Sequence, residues 1–400
     1  MGRSMVRRWS MLAIGLTATL CVNVFVKGVP LLIPALYTEH GLDLGRAGLL
    51  SAMPTLGMVA TLFGWGYAVD RFGERIVLVV GSALTAAAVF AAAAVDSLVA
   101  VGAFLLLGGM AAASSNAASG RLVVGWFPPD ERGLAMGIRQ TAQPLAVALG
   151  AMVVPRLAQN YGVPAALLFP AALCVFAAVV SAFAVDPPRP ERVEAPAEHV
   201  TSPYRGSTVL LRIHIVSALM MVPQTVVWTF ALVWLMVRHE WSATSAGAML
   251  MVASLVGAGG RIATGWWSDR AGARMRPTRI IALTSAVTMS VLALIDWLDF
   301  SETSIAEMLA VAAMVTVSDN SLSFTAIAER AGPFWSGRAL GVQNTTQLMV
   351  ASIAQPVFGG LIGVVGYPMV FALCAVFPFA AIPLVPVEPK AQKKIHLDSR

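Results

Sequence analysis

The residues best placed to do chemistry in this chain are four ionisable side chains set within long apolar runs: Lys27, Arg121, Arg139 and Asp319. An ionised group at membrane depth costs at least about 2.5 kcal/mol unless it is paired or hydrated, so each needs a reason to be there. Lys27 falls roughly 24 Å along the first run, at about 1.5 Å per residue. It either reaches back to the surface on its long stem or points into a polar pathway. Arg121 and Arg139 each stand near 9 Å from the ends of their runs by the same rise. Two guanidiniums at one depth with no nearby acid repel each other, and water or a bidentate anion relieves that cost. The competing reading folds each back onto headgroups or helix-end carbonyls. Arg261, two turns from Asp269, is expected to pair locally or reach the surface.

Among 21 acids only Asp319 is deep, beside Asn320 and near Ser318, Ser321 and Ser323. A partly desolvated carboxyl there can carry a proton, serve as counter-ion to one of the basic groups, or act as a structural hydrogen-bond node. Asn23, Asn116, Gln140, Gln143, Gln224, Asn320, Gln343, Asn344 and Gln347 are amides able to bind a solute or to bridge helices. Trp228 suits stacking or packing, His214 is expected to be hydrated near a helix end, and Pro144, Pro223 and Pro356 are expected to kink their helices. The candidate solute ligands are thus Lys27, Arg121, Arg139, Asn116, Gln140, Gln224, Asn320, Gln343 and Asn344, with Asp319 as proton carrier or counter-ion.

The elements that must position these side chains are membrane helices. With 58% hydrophobic and 12% charged residues in 400, the chain has too few charges to coat a soluble globule. Its runs of 20 or more apolar residues suit helices crossing roughly 30 Å of hydrocarbon, and the alternating pattern of a membrane barrel is absent. Twelve spans are predicted, at 11–36, 47–69, 76–95, 99–126, 134–157, 163–185, 209–237, 244–267, 278–297, 304–328, 339–363 and 367–387. The first is too long for a signal peptide, lacks a clean cleavage site, and is expected to be retained. Of 27 Lys and Arg, 20 fall on one side and only Arg46, Arg156 and Arg238 on the other, which predicts cytoplasmic termini. The net charge of +6 follows from that bias, and no basic groove for nucleic acid is visible. Cys21, Cys174 and Cys374 are expected to be buried free thiols.

Asp186 to Arg205 is the one long polar, Pro-rich interval, and it halves the chain. The expected organisation is a six-helix bundle over 1–185, a cytoplasmic linker over 186–208, a second six-helix bundle over 209–387 and a tail over 388–400. The halves repeat. Gly66-x-x-x-Asp70-Arg71-x-Gly73-x-Arg75 recurs as Gly265-x-x-x-Asp269-Arg270-x-Gly272-x-Arg274, offset by 199 residues. His40–Gly48 lies over His239–Gly247 at the same offset, while Asn116 over Asn320 and Gly137–Thr141 over Gly341–Thr345 follow at 204. Gly73 and Gly272 suit a tight turn between helices, and Gly66 and Gly265 allow a close neighbour.

On these motifs the whole chain resembles the major facilitator superfamily of secondary transporters, with Glu74 standing where a basic residue is usual. The resemblance implies an all-α membrane protein of twelve helices in two pseudo-symmetric bundles, span 1 lining a central cavity, and a latch at the cytoplasmic face formed by the doubled turn, whose bland alternative is a fixed cap. It implies transport by alternating access. The basic excess of the first half favours a small organic anion, with protons as the coupled ion. A proton-coupled drug or metabolite exporter is the rival, weakened because span 5 has Pro144 but no Gly-Pro pair; a transport-inactive sensor or scaffold is the rival of another class. No phosphate loop, HExxH, GxSxG or Cys/His cluster is present, so neither an enzyme, a cofactor nor a metal is expected. The expected partners are the solute, protons and the bilayer, and the expected state is a monomer.

Overall fold

A computed structural model describes residues 2–32, 44–188 and 201–387. The tail over 388–400, most of the linker, Tyr37 and the His40–Gly48 repeat lie outside or at the margin of what is described. Among the described residues eleven α-helices follow one another: α1 Gly2–Gly28, α2 Leu44–Phe72, α3 Glu74–Ala93, α4 Leu98–Trp126, α5 Arg132–Gln140, α6 Ala142–Ser181, α7 Val209–Val233, α8 Ala243–Ala271, α9 Met275–Trp297, α10 Glu302–Ala331 and α11 Ser336–Ala381. No strand occurs among the described residues. Helix is the form in which an isolated apolar run satisfies all its backbone groups internally, which hydrocarbon demands.

Ten helical stretches are long and apolar enough to cross a membrane among the described residues. Two of them, Arg132–Ser181 and Ser336–Leu384, run to 50 and 49 residues, enough for two crossings each. Both are broken at a glycine outside helical geometry, Gly162 (φ 80°, ψ 170°) and Gly366 (φ 79°, ψ 171°). In each case a proline follows two residues later, Pro164 and Pro368, where a helix tolerates a missing N–H. The predicted boundaries between spans 5 and 6 and between spans 11 and 12 fall at these breaks.

Packing repeats between the halves. In the first, α4 packs on α1, α2 and α3, and α6 packs on α1 and α3. In the second, α10 packs on α7, α8 and α9, and α11 packs on α7 and α9, the same scheme with each helix replaced by its counterpart. The halves are joined chiefly by α2 against α11 and α5 against α8, again as counterparts, with α10 also touching α4 and α5. One apolar core lies wholly in the first half and one wholly in the second. A third mixes both, bringing Val123, Phe127 and Met136 together with Ile213, Phe324 and Leu340. Outward faces carry exposed Leu84, Leu107, Val179, Leu255 and Leu283, surface that lipid covers. The three cysteines are buried and free.

Candidate functional site

The doubled turn builds a closed end. Gly73 (φ 98°) and Gly272 (φ 57°) hold the left-handed angles that turn α2 into α3 and α8 into α9. Each motif aspartate then reaches a helix of the other half. Asp70 accepts the Gly337 and Arg338 N–H groups at 2.9 and 3.1 Å and the Arg338 Nε at 2.9 Å. Asp269 accepts the Gly133 and Leu134 N–H groups at 2.9 and 2.7 Å. These are the first-turn amides of α11 and α5, which have no partner within their own helices and favour a negative charge. Gly66 abuts Gly337 and Gly265 abuts Gly133, backbone to backbone, so the halves meet here without intervening side chains.

A guanidinium completes each cluster. Arg274 binds Asp269, Glu329 at 3.1 Å and the Pro129 carbonyl. Burial works against its charge, yet Glu329 and then Asp269 hold it above its ordinary value. Its geometric counterpart is not Arg75 but Arg121. Arg121 lies 2.9 Å from Glu74 and 3.5 Å from Asp70, and donates to the Val69 and Pro333 carbonyls and the Ser336 hydroxyl. This corrects the expectation that Arg121 faces a cavity with no acid nearby: Glu74, at the start of α3, supplies the acid. Arg71 and Arg270 instead lie over Phe72 and Trp266 of their own helices, and Arg75 engages Asp186 through its backbone N–H only. None of these three side chains joins the inter-half clusters.

Above this closed end a cavity of about 360 Å³ lies between the halves. Six of the nine candidate ligands line it: Lys27, Asn116, Gln140, Gln224, Asn320 and Asn344. The other three do not. Arg121 is held in the ion-pair cluster at the closed end. Arg139 is one layer behind the wall, donating to the Ser119 hydroxyl at 2.9 Å and the Asn116 carbonyl at 2.8 Å and stacking over Phe324. Gln343 is fully buried between His214 and Ser217.

Arg261, expected to pair with Asp269 or reach the surface, lines the cavity instead. Its Nη1 donates to the Gln140 carbonyl at 2.8 Å. The reason is legible four residues on: Pro144 has no N–H, so the Gln140 carbonyl lacks its helical donor and the guanidinium takes that place. The α5–α6 break follows at Thr141. Lys27 has no ion-pair partner among the described residues, and no Asp or Glu lines the cavity among them. The lining therefore carries two cations and many amides, including Gln143, Gln347 and Gln355, with Trp228 as an aromatic wall.

Asp319 stands behind the lining and is 2% exposed. Both its oxygens accept from the Ser323 hydroxyl at 2.9 Å, and Ser217 is within hydrogen-bonding reach. No basic side chain pairs with it among the described residues, so the counter-ion reading has no partner. His214, expected to be hydrated, is 4% exposed and bonded to Gln343 at 2.8 Å and to the Tyr204 hydroxyl at 3.0 Å. Burial pushes the Tyr204 phenol up to about 12, keeping it protonated near neutrality.

Two repeated helical halves closing at one end over a polar, solute-sized cavity define a membrane carrier. The model of the Major Facilitator Superfamily matches residues 15–355, and the chain belongs to that family. It is 54% identical over 381 residues to an uncharacterised MFS-type transporter of Mycobacterium tuberculosis, Rv2994, spanning 95% of this chain and 85% of that one. Its fold is similar to that of the proton:xylose symporter XylE, with a TM-score of 0.78, 13% identity and 95% of each chain covered. It is also similar to the human organic anion transporter MFSD10, with a TM-score of 0.74, 17% identity and 95% and 99% of the two chains covered.

Proposed function

We propose that this integral membrane, MFS-type transporter moves a small organic anion by alternating access, coupled to protons. One observation carries the anion reading: the central cavity is lined by Lys27 and Arg261 and by no carboxylate among the described residues. A cation pair inside low-dielectric walls favours an anionic solute, and the surrounding amides supply orientation. Arg139, one layer back and held only by neutral groups, adds to the same positive potential. Asp319, buried against hydroxyls, is the proton carrier in this reading. Symport of a proton with the anion would compensate charge and supply the driving force. The basic end is the cytoplasmic side, with both termini there, and the two halves 1–185 and 209–387 rock about the cavity in the cell membrane. The doubled turn is then a latch, because both clusters bridge the halves and must separate for the basic end to open.

The test is a thermal-shift screen of purified protein against organic acids, sugars, amino acids and lipophilic cations, since a preferential ligand raises apparent stability. An organic acid should give the largest shift. Lys27→Ala and Arg261→Gln should each weaken that binding about 10-fold or more, the loss of roughly one charge-assisted contact. A response confined to lipophilic cations would reject the anion reading.

A further inference from the structure

The Ser217 hydroxyl has one proton and two lone pairs, and both lone pairs are engaged. Gln343 and Gln347 both donate to its oxygen, the latter at 3.0 Å, and the Asp319 carboxyl is within reach of its proton. From Ser217 one chain runs through Gln343 and His214 to Tyr204 at the basic end. Another runs into the cavity, where Gln347 donates to Asn320 at 2.9 Å and Asn320 donates to Gln224 at 3.2 Å. All three of those amides line the cavity. One hydroxyl is thus shared by the buried carboxyl, the solute-facing amides and the path to the surface.

A carboxylate only accepts hydrogen bonds, whereas a carboxylic acid has an O–H to place. Ser217 can accept that O–H only by releasing one of its two amides. If Gln343 is released, its amide turns, presenting oxygen to Ser217 and NH₂ to His214 Nδ1, which moves the ring proton to Nε2. If Gln347 is released, a cavity amide is freed. The proton comes from bulk solvent and remains on Asp319, and only hydrogen bonds are exchanged.

We propose that Ser217 is the positioning residue that transmits protonation of Asp319 to the cavity amides and to His214. This rests on Asp319 being the proton carrier. The charged and titratable groups on the elements packed against α10 are Arg212 and His214 on α7, Arg261, Asp269 and Arg270 on α8, Arg276, Arg279 and Asp296 on α9, Arg132 and Arg139 on α5, Arg121 on α4, and Arg338, Tyr367 and Cys374 on α11. None pairs with Asp319 among the described residues. Ser323 is the competing acceptor, but it lies on the same helix and does not line the cavity, so a proton handed to it would leave the amides unmoved.

The experiment uses full-length ligand-free protein in detergent, labelled with ¹⁵N-histidine and ¹⁵N-glutamine, with His214→Gln and Gln347→Leu assigning the signals. Infrared spectroscopy follows the protonated-carboxyl band, assigned by its loss in Asp319→Asn. At one fixed pH, Asp319→Asn, whose NH₂ donates as the acid would, should shift His214 toward the Nε2–H form or move the Gln347 side-chain signal. Adding Ser217→Ala should abolish that response, and adding Ser217→Thr, which keeps the hydroxyl, should preserve it. Ser217→Ala alone should leave the carboxyl band titrating. Responses that persist without the hydroxyl, that are lost with Ser323→Ala instead, or that never arise in Asp319→Asn overturn the role of Ser217. Absence of any titrating band from Asp319 overturns the proton-carrier reading as well.

Discussion

At the scale of single residues, the cavity was most legible where a polar side chain interrupts an apolar run. Lys27, Asn116, Gln140, Gln224, Asn320 and Asn344 stand out that way because hydrocarbon offers them no partner, and all six face the cavity. Arg121 and Arg261 stand out equally and were misplaced, since depth does not reveal which acid or carbonyl a long side chain finds. Pro144 was the missed signal for Arg261. It removes the donor to Gln140, and a buried carbonyl without a donor costs about 1 to 3 kcal/mol. Arg261→Met should therefore lower stability by about that amount, measured by thermal unfolding in detergent. In a Pro144→Ala background the new N–H can bond Gln140, and the cost should shrink. Strictly additive effects of the two substitutions would contradict this account.

At the scale of elements, the halves build one kind of charged cluster with its charges exchanged. In the second half the turn carries the cation, Arg274, and helix α10 carries the acid, Glu329; in the first the turn carries the acid, Glu74, and helix α4 carries the cation, Arg121. That exchange explains why Glu74 departs from the family pattern and why aligning Arg75 with Arg274 pairs residues that do different jobs. The repeat itself was visible in the sequence, but the exchange was not, because the partners lie 47 and 55 residues apart on different helices. Glu74 and Arg121 are both almost fully buried, and removing one partner of such a pair costs about 3 to 5 kcal/mol. Glu74→Gln should lower the melting temperature and membrane abundance accordingly. Glu74→Arg should be worse. Combining it with Arg121→Glu, which recreates the order of the second half, should recover much of the loss, and a double variant no better than Glu74→Arg would argue against the exchange.

At the scale of the molecule, the two halves meet at the basic end through glycine against glycine, so the closed arrangement depends on backbones touching. A Cβ at Gly66 would lie 2.5 Å from the Gly337 carbonyl oxygen, nearer than any real contact allows, whereas one at Gly64 on the same helix meets nothing within 4 Å. In the closed arrangement bulk at Gly66 is thus paid for, whereas bulk at Gly64 meets no neighbour. Since a ligand or substitution shifts a two-state equilibrium by its difference between the states, Gly66→Val should populate an arrangement with the basic end apart. Spin labels at Arg71→Cys and Arg330→Cys, both exposed, report that separation, and the native cysteines are buried. Pulsed electron-electron resonance should show a longer-distance population in Gly66→Val that Gly64→Val lacks. Gly265→Val, pressing on Gly133 in the counterpart contact, should produce the same change, because the two contacts close one end of one cavity. Identical distance distributions in all three variants would mean that these contacts fix the architecture without taking part in any opening.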